Sequence, residues 1–384
     1  MNTSLFISRR IRFKGGLAMA CIAISYLVMI IAVSVSSGFR TEIRSGISSL
    51  SGDVRLTPPN LNILDHSRPI EKNPSYLPYV EEVEGVASVV PAVYMAGIIK
   101  QGTDIYGVLF KSVCDSIGGV SVPRALADKA GVKEGESITA YFVGEKVRAR
   151  KFNVVSIYDS FVEADDKLIV YADMSDLQRL GGWTSDQVSV MEIILDDDHK
   201  DEVSIMNATQ NIGFVVNAYS SESEDPVVAT SSVSSYSQLF DWLALIDFNV
   251  LIILVLMTIV AGFNRISGLL IMLFENISTI GIFKALGMTD KSISKVFLSS
   301  AATLVAKGML VGNALAIIFC VLQEKTHLLK LDPTNYFVSF VPVKTDVGAV
   351  LLADIVSFIV IMLFMLIPTL FISKVDPAQT VRMK

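Results

Sequence analysis

Cysteine is scarce in this chain of 384 residues: there are three, Cys21, Cys114 and Cys320. Cys21 and Cys320 fall inside long apolar runs. Cys114 stands alone in a polar block, so no disulfide framework can staple that block. The spacing of the three fits no metal site. Histidine is as rare, and His66, His199 and His327 lie far apart in polar segments, where they read as solvated surface side chains. Charge is thin: 18% of residues are Asp, Glu, Lys or Arg, against about 25% in a soluble globular domain. Catalytic signatures are missing as well. The chain has no GxxxxGK[ST] phosphate loop and no HExxH zinc helix, and no GxSxG elbow. The acidic run Asp196-Asp197-Asp198 lacks the alternating ligands and glycine of a calcium loop, and reads as a solvated turn. These absences argue against an enzyme in its own right and against a bound metal or cofactor.

What the chain has is apolar length. Hydrophobic residues make up 52% of it and the mean hydropathy is +0.54. Four runs, residues 16–36, 243–274, 296–322 and 347–373, each exceed the ~20 residues that cross ~30 Å of hydrocarbon. A backbone in lipid must satisfy its own hydrogen bonds, so these runs are expected to be membrane helices. One precedes and three follow a block of about two hundred residues. The first run is too long for a signal-peptide core, and no small-x-small cleavage site follows it before Gly38-Phe39-Arg40, so we read it as an uncleaved anchor.

Charge sets the orientation. Arg9, Arg10, Arg12 and Lys14 precede the first run with no acid among them; Lys284, Lys291 and Lys295 outweigh Glu275 and Asp290; Lys374, Arg382 and Lys384 outweigh Asp376. Four crossings put all three segments on one side, which should be the cytoplasm. The block from Gly38 to Trp242 carries 17 Lys and Arg against 30 Asp and Glu, and faces outward. Its acidity argues against nucleic acid, whose phosphates need a basic surface.

The expected organisation is therefore a cytoplasmic arm at 1–15, a transmembrane helix at 16–37 and a periplasmic α/β domain at 38–242. A second span follows at 243–274, then a cytoplasmic segment at 275–295 and a third span at 296–322. A periplasmic loop at 323–346, a fourth span at 347–373 and a cytoplasmic tail at 374–384 complete the chain. The fold class is a membrane α-helical bundle, one helix plus three, with a large mixed α/β periplasmic domain. Within that domain, alternation and β-branched richness predict strands near 53–56, 87–93, 105–109, 137–143, 152–157, 167–170 and 192–195. Helices are predicted at 123–130 and 173–180. Residues 41–50 carry helical spacing onward from the first span. The Ser-rich segment 220–237, broken by Pro226, reads as a linker running into a helix that starts near Ser235.

Two basic residues sit at depth. Arg265 and Lys307 lie about 12–16 Å inside the cytoplasmic ends of their helices at 1.5 Å per residue. Intramembrane charge suggests function, and snorkelling to the interface is the alternative. Asp354, the one acid near them, lies closer to the outer face. Gly308 and Gly312 form a GxxxG that could seat a neighbouring helix.

The most informative stretch is 269–291. An apolar helix leaves the bilayer at Glu275. A second follows, with Ile277, Ile280, Lys284 and Leu286 near helical spacing. Gly287 is expected to end it as the C′ residue, and Thr289 or Asp290 to cap the next. On pattern alone, a short amphipathic helix here is either an interfacial anchor or a docking helix.

The stretch resembles the coupling helix of ABC permeases of the lipoprotein-releasing (LolC/LolE-like) family, within the FtsX/MacB-like permease superfamily. Their shared run is approximately E-R-x-x-E-I-G-x-x-x-A-x-G. Glu275, Ile280, Gly281, Ala285 and Gly287 fall on it; Asn276 and Thr279 depart from it. Gly38-Phe39 with Ile43, Ile47 and Gly52, the segment Asp332 to Val343, and the tail Val375-Asp376-Pro377-Ala378-Gln379-Thr380-Val381-Arg382 resemble further segments of the family. The resemblance implies a permease subunit of an ATP-driven transporter, most specifically one releasing lipoproteins from the inner membrane. A MacB-like efflux permease, or an FtsX-like transducer controlling a cell-wall hydrolase, is the alternative.

It further implies partners. These are a cytoplasmic ABC ATPase that holds ATP and magnesium, a second permease subunit (the same chain or a paralogue), membrane lipids and a lipoprotein substrate. A periplasmic carrier is a further partner. The interval 144–151 is short and basic, and reads as a plain hairpin rather than a carrier-recruiting hook. The docking residues so implied are Glu275, Ile280, Gly281, Lys284, Ala285, Leu286 and Gly287, with acyl-chain entry near Val33, Leu245 and Phe248.

Overall fold

The computed structural model describes residues 16–59, 68–102, 104–113, 116–142, 147–159, 168–332, 336 and 338–370. The arm at 1–15 and the tail at 374–384 lie outside the described residues. In chain order the elements begin with helix α1 (Gly16–Ser51), β1 (Val54–Thr57), β2 (Ile70–Glu71), α2 (Leu77–Glu81), β3 (Val86–Ala92), β4 (Tyr94–Gln101), β5 (Asp104–Val113) and β6 (Val120–Pro123). Then come α3 (Arg124–Ala130), β7 (Ser137–Phe142), β8 (Arg148–Tyr158), β9 (Leu168–Asp173), α4 (Met174–Gly181), β10 (Gln187–Val188), β11 (Val190–Leu195), α5 (Glu202–Tyr219), β12 (Val228–Ser231) and α6 (Ser232–Ser235). The last stretch is helical: α7 (Ser237–Glu275), α8 (Ile277–Ala285), α9 (Asp290–Thr326), α10 (Val347–Phe364) and α11 (Leu366–Thr369). Four of these segments are long and apolar enough to cross a membrane.

The chain divides into two compact units, one of residues 1–41, 243–330 and 340–384 and one of 42–242 and 331–339. In the first unit, Ile22 and Tyr26 of α1, Leu269 of α7, Phe297 and Val305 of α9, and Ile361 of α10 share one buried cluster. Glycine permits the closest approach. A Cβ on Gly312 would lie 2.5 Å from the Ala23 carbonyl oxygen, and one on Gly308 2.7 Å from Ile22 Cγ2. The GxxxG of α9 is thus the groove that seats α1. Gly38 plays the same part against the loop before α10, where a Cβ would meet the Pro342 carbonyl oxygen at 2.3 Å.

Beside a two-stranded ribbon of β2 and β10, the second unit has two larger β layers. β12, β1, β11 and β3 form an antiparallel sheet in that order, and β4, β5, β9, β6, β8 and β7 close into a barrel. Strand alternation explains the barrel. Along β7, Ile138, Ala140 and Phe142 are buried while their neighbours are not. Phe110, Phe142 and Phe152 meet with ring centroids 4.9 to 6.3 Å apart. β7 and β8 pair antiparallel with Phe142 opposite Arg148, so the basic interval 144–151 belongs to a hairpin; of its loop, residues 143–146 are not described.

All seven expected strand segments overlap observed strands, and both expected helices are present. One expectation needs correction, and β2, α2, β4, β6, β10 and α5 have no counterpart among the expectations. The 220–237 segment is more than a linker: β12 pairs with β1, Val54 opposite Ser231, and α6 follows it. Its Ser richness hid the strand, because Ser231 serves as the cap of α6, accepting from the Ser234 N–H. Helix α5 was not foreseen. Its buried stripe is Ile205, Ala208, Ile212 and Val216 and Asp201 caps it, a 3.6-residue pattern masked by intervening Asn, Gln and Gly.

Asp53 closes the junction between α1 and the sheet. Its Oδ2 accepts from Ser48 Oγ at 3.0 Å and from the Leu195 N–H at 2.9 Å. Burial pushes its carboxyl pKa upward, and these two hydrogen bonds only partly offset that. A raised folded-state pKa means the folded domain holds the proton more tightly than the unfolded chain. Its contribution therefore favours folding below the ordinary value near ~4, and is lost as pH rises through the folded pKa. Asp53→Asn is expected to flatten that part of the profile: melting curves from acid to neutral pH should show the variant gaining on wild type as pH rises. A constant offset would contradict the assignment.

Candidate functional site

Helix α7 ends at Glu275, and a one-residue break at Asn276 turns the chain into α8. Asn276 holds the break: its backbone N–H and its Nδ2 both donate to the Met272 carbonyl, at 3.1 and 2.9 Å. The far end of α8 is a Schellman stop. Gly287 has φ +85°, its N–H donates to Lys284 O at 3.0 Å, and the Met288 N–H donates to Phe283 O at 3.0 Å. Thr289 then caps α9, accepting from the Ser292 N–H.

The short helix has two unlike faces. Ile280 and Gly281 are buried, with Ile280 in the cluster that includes Ile293 and Phe297. Lys284 turns the same way: its side chain is 12% exposed and its ammonium lies 3.0 Å from Asp290 Oδ1. Ser278, Ile282, Ala285 and Leu286 occupy the other face. Ile282 is 50% and Leu286 77% exposed. The seven docking residues inferred from sequence thus divide. Ile280, Gly281 and Lys284 fasten the helix to its own chain, Ala285 and Leu286 point away, and Glu275 and Gly287 are exposed at its two ends. Ile282, which sequence reasoning passed over, belongs with Leu286 on the outer face; its place one turn before Leu286 was the available signal.

The intramembrane cations are not brought together. Arg265 is 1% exposed, and its Nε and Nη1 have no hydrogen-bond partner among the described residues. Its helix neighbours Ala261 and Leu269, a turn away on either side, belong to the buried cluster. Lys307 is exposed on α9. Asp354 is buried and accepts from Asn313 Nδ2, joining α10 to α9.

The three residues expected near acyl-chain entry differ in exposure. Val33 is buried with Ile30, Ala316 and Val350, whereas Leu245 and Phe248 are exposed on α7. Beside them is a contact the sequence did not disclose: Arg40 pairs with Asp247, whose other carboxylate oxygen accepts from Ser36 Oγ at 2.5 Å. Among the described residues no three His, Cys, Asp or Glu side chains gather around a metal-sized centre.

Comparison with known proteins gives a consistent result. A family model described as FtsX-like permease C-terminal matches residues 251–377. The lipoprotein-releasing system transmembrane protein LolC of Neisseria meningitidis is 23% identical, over 95% of this chain and 93% of its own length. The transmembrane protein LolE of the same system in Haemophilus influenzae is 22% identical over 99% of each chain. Among solved structures, the periplasmic region of MacB from Actinobacillus actinomycetemcomitans overlaps with a TM-score of 0.30 at 14% identity, covering 48% of this chain and 91% of that one. The carboxy-terminal match and the end-to-end relatives make this chain similar to ABC-transporter permeases of the FtsX-like kind, and its four apolar helices with a large periplasmic domain are those of a multi-pass inner-membrane protein.

Proposed function

We propose that this chain is the subunit through which a separate cytoplasmic ATPase drives movement of a periplasmic domain, in the manner of a MacB-like or FtsX-like permease. The observation that carries the reading is the outer face of α8. Ile282 and Leu286 are presented outward on a helix whose opposite face is fixed by Ile280, Gly281 and the Lys284–Asp290 pair. Two exposed aliphatic side chains on a fixed, short helix suit a hydrophobic socket on a partner. ATP and magnesium belong to that partner. Two permease subunits, identical or paralogous, complete the assembly.

The test is the double variant Ile282→Asp/Leu286→Asp in native membranes. Central interface side chains are each worth about 2 kcal/mol, and 1.4 kcal/mol is tenfold in affinity. Recovery of the ATPase with the affinity-tagged permease is expected to fall by at least ~30-fold, with the permease itself still inserted. Undiminished recovery would reduce α8 to an interfacial anchor. Lys284→Asp would act differently, by setting a second carboxylate against Asp290 and loosening the loop.

A second reading, lipoprotein release, is favoured by the relatives that align from end to end. In it, acyl chains leave the outer leaflet near Val33, Leu245 and Phe248, and a periplasmic carrier receives the cargo. Depleting the protein should then leave lipoproteins in the inner membrane before growth arrests. Normal sorting would leave efflux or signal transduction as the task of the same machinery.

A further inference from the structure

At the carboxy-terminal end of α1, three side chains from three strands converge on the last turn. Lys111 of β5 donates from Nζ to the Leu50 carbonyl at 2.7 Å, to the Ser49 carbonyl at 3.3 Å and to Glu192 Oε2 at 2.9 Å. Tyr94 of β4 donates to the Leu50 carbonyl at 2.8 Å and also contacts the Glu192 carboxylate. Lys111, Tyr94 and Glu192 are each at least nine-tenths buried. Tyr94 and Lys111 are directly opposite in the β4–β5 ladder, and Glu192 lies in β11 between Arg55 and Val90. The cluster therefore ties barrel, sheet and helix end at one point.

Such a cluster is not the cheapest way to fill the space. A buried ion pair can often be replaced by apolar side chains of similar size without loss of stability, so stability alone does not explain it. Its geometry offers something else. A helix ends with unsatisfied carbonyls and a partial negative charge. An ammonium placed there, held in turn by a carboxylate on another strand, fixes the helix end in position and direction; an apolar contact would let it slide.

We infer that Lys111, with Glu192 and Tyr94, is the positioning element through which displacement of α1 reaches both β layers of the periplasmic domain. The inference rests on the proposed coupling function and specifies where in the periplasmic domain the motion is received. Lys111 is a positioning residue: it need touch neither nucleotide nor cargo.

The test uses the full complex with its ATPase in nanodiscs, with spin labels at exposed Lys133 and Leu251, each changed to cysteine on a background free of native cysteines. In the otherwise wild-type complex, ATP with magnesium should shift the distance distribution between the labels. Lys111→Met/Glu192→Leu removes both charges together. The expected result is a complex that assembles, melts near wild type and hydrolyses ATP within twofold of wild type, yet loses more than half of the shift. Lys111→Arg, which still offers donors to both carbonyls and the carboxylate, should restore it. Tyr94→Phe, which keeps the ring and removes one donor, should give an intermediate loss and serves if the double variant does not fold.

A full shift in the double variant, or in Tyr94→Phe where only that variant folds, would overturn the inference. A wild-type complex that hydrolyses ATP without any shift would instead overturn the coupling reading, so the two failures are distinct.

Discussion

Lys111→Met alone is expected to be among the most damaging single substitutions in the periplasmic domain. It leaves Glu192 buried, with a side chain 6% exposed, and without its cation. Breaking a buried pair in this way costs about 3–5 kcal/mol, a large share of the ~5–15 kcal/mol that holds a domain together. At ~2–4 °C per kcal/mol for a domain of roughly two hundred residues, melting should fall by about 6–20 °C. Lys111→Met/Glu192→Leu should recover most of that loss, because no orphaned charge remains. The four proteins of this cycle yield the coupling term directly. If the two single losses simply add in the double variant, the pair is not coupled and the buried-charge argument fails.

Gly312→Leu should be the most damaging change in the membrane unit. Its Cβ would sit 2.5 Å from the Ala23 carbonyl oxygen and 2.9 Å from Tyr26 Cβ. Backbone cannot rotate aside, so α1 and α9 must separate, uncovering Ile22, Tyr26 and Val305. Overpacking costs about 1–3 kcal/mol and sometimes more; with the clash on main-chain atoms, ~3 kcal/mol or more is expected. The readout is the yield of monodisperse protein after detergent extraction, with loss of heat resistance. Gly308→Ala is the graded control. Its nearest obstacle is Ile22 Cγ2 at 2.7 Å, with main chain no closer than 3.3 Å, so it should be milder. Equal yields for the two would separate the effect from helix packing.

The membrane half was legible because its signals are local. A run of apolar residues states its own length, and Gly287 followed by a capping Thr289 marks a helix stop and start within three positions. Seven strands of the periplasmic domain were legible one by one from their alternation, though not β2, β4, β6, β10 or β12. Their assembly was not. Lys111 and Glu192 are 81 positions apart, and Arg40 and Asp247 are 207 apart; nothing in either neighbourhood announces the other. Lys284 shows a subtler limit. Its spacing placed it among the residues facing a partner, yet it turns back to Asp290, because a long side chain at a helix end can reach the start of the next helix. Helical position gives the face from which a side chain departs and leaves open where its charge comes to rest.

The strand order of the sheet bears on how the protein is made. β1 is the first strand to leave the membrane, but both of its neighbours, β11 and β12, are synthesised more than a hundred residues later. Nascent chains emerge amino terminus first, so β1 must wait outside with both edges open while the barrel strands are exported past it. Its last partner, β12, arrives only a few residues before α7 begins. Completion of the sheet and entry of the second membrane helix are therefore nearly one event in biogenesis. A chain stalled before that moment exposes two unpaired strand edges, a template for aggregation and a recognisable target for the proteases and chaperones of the envelope.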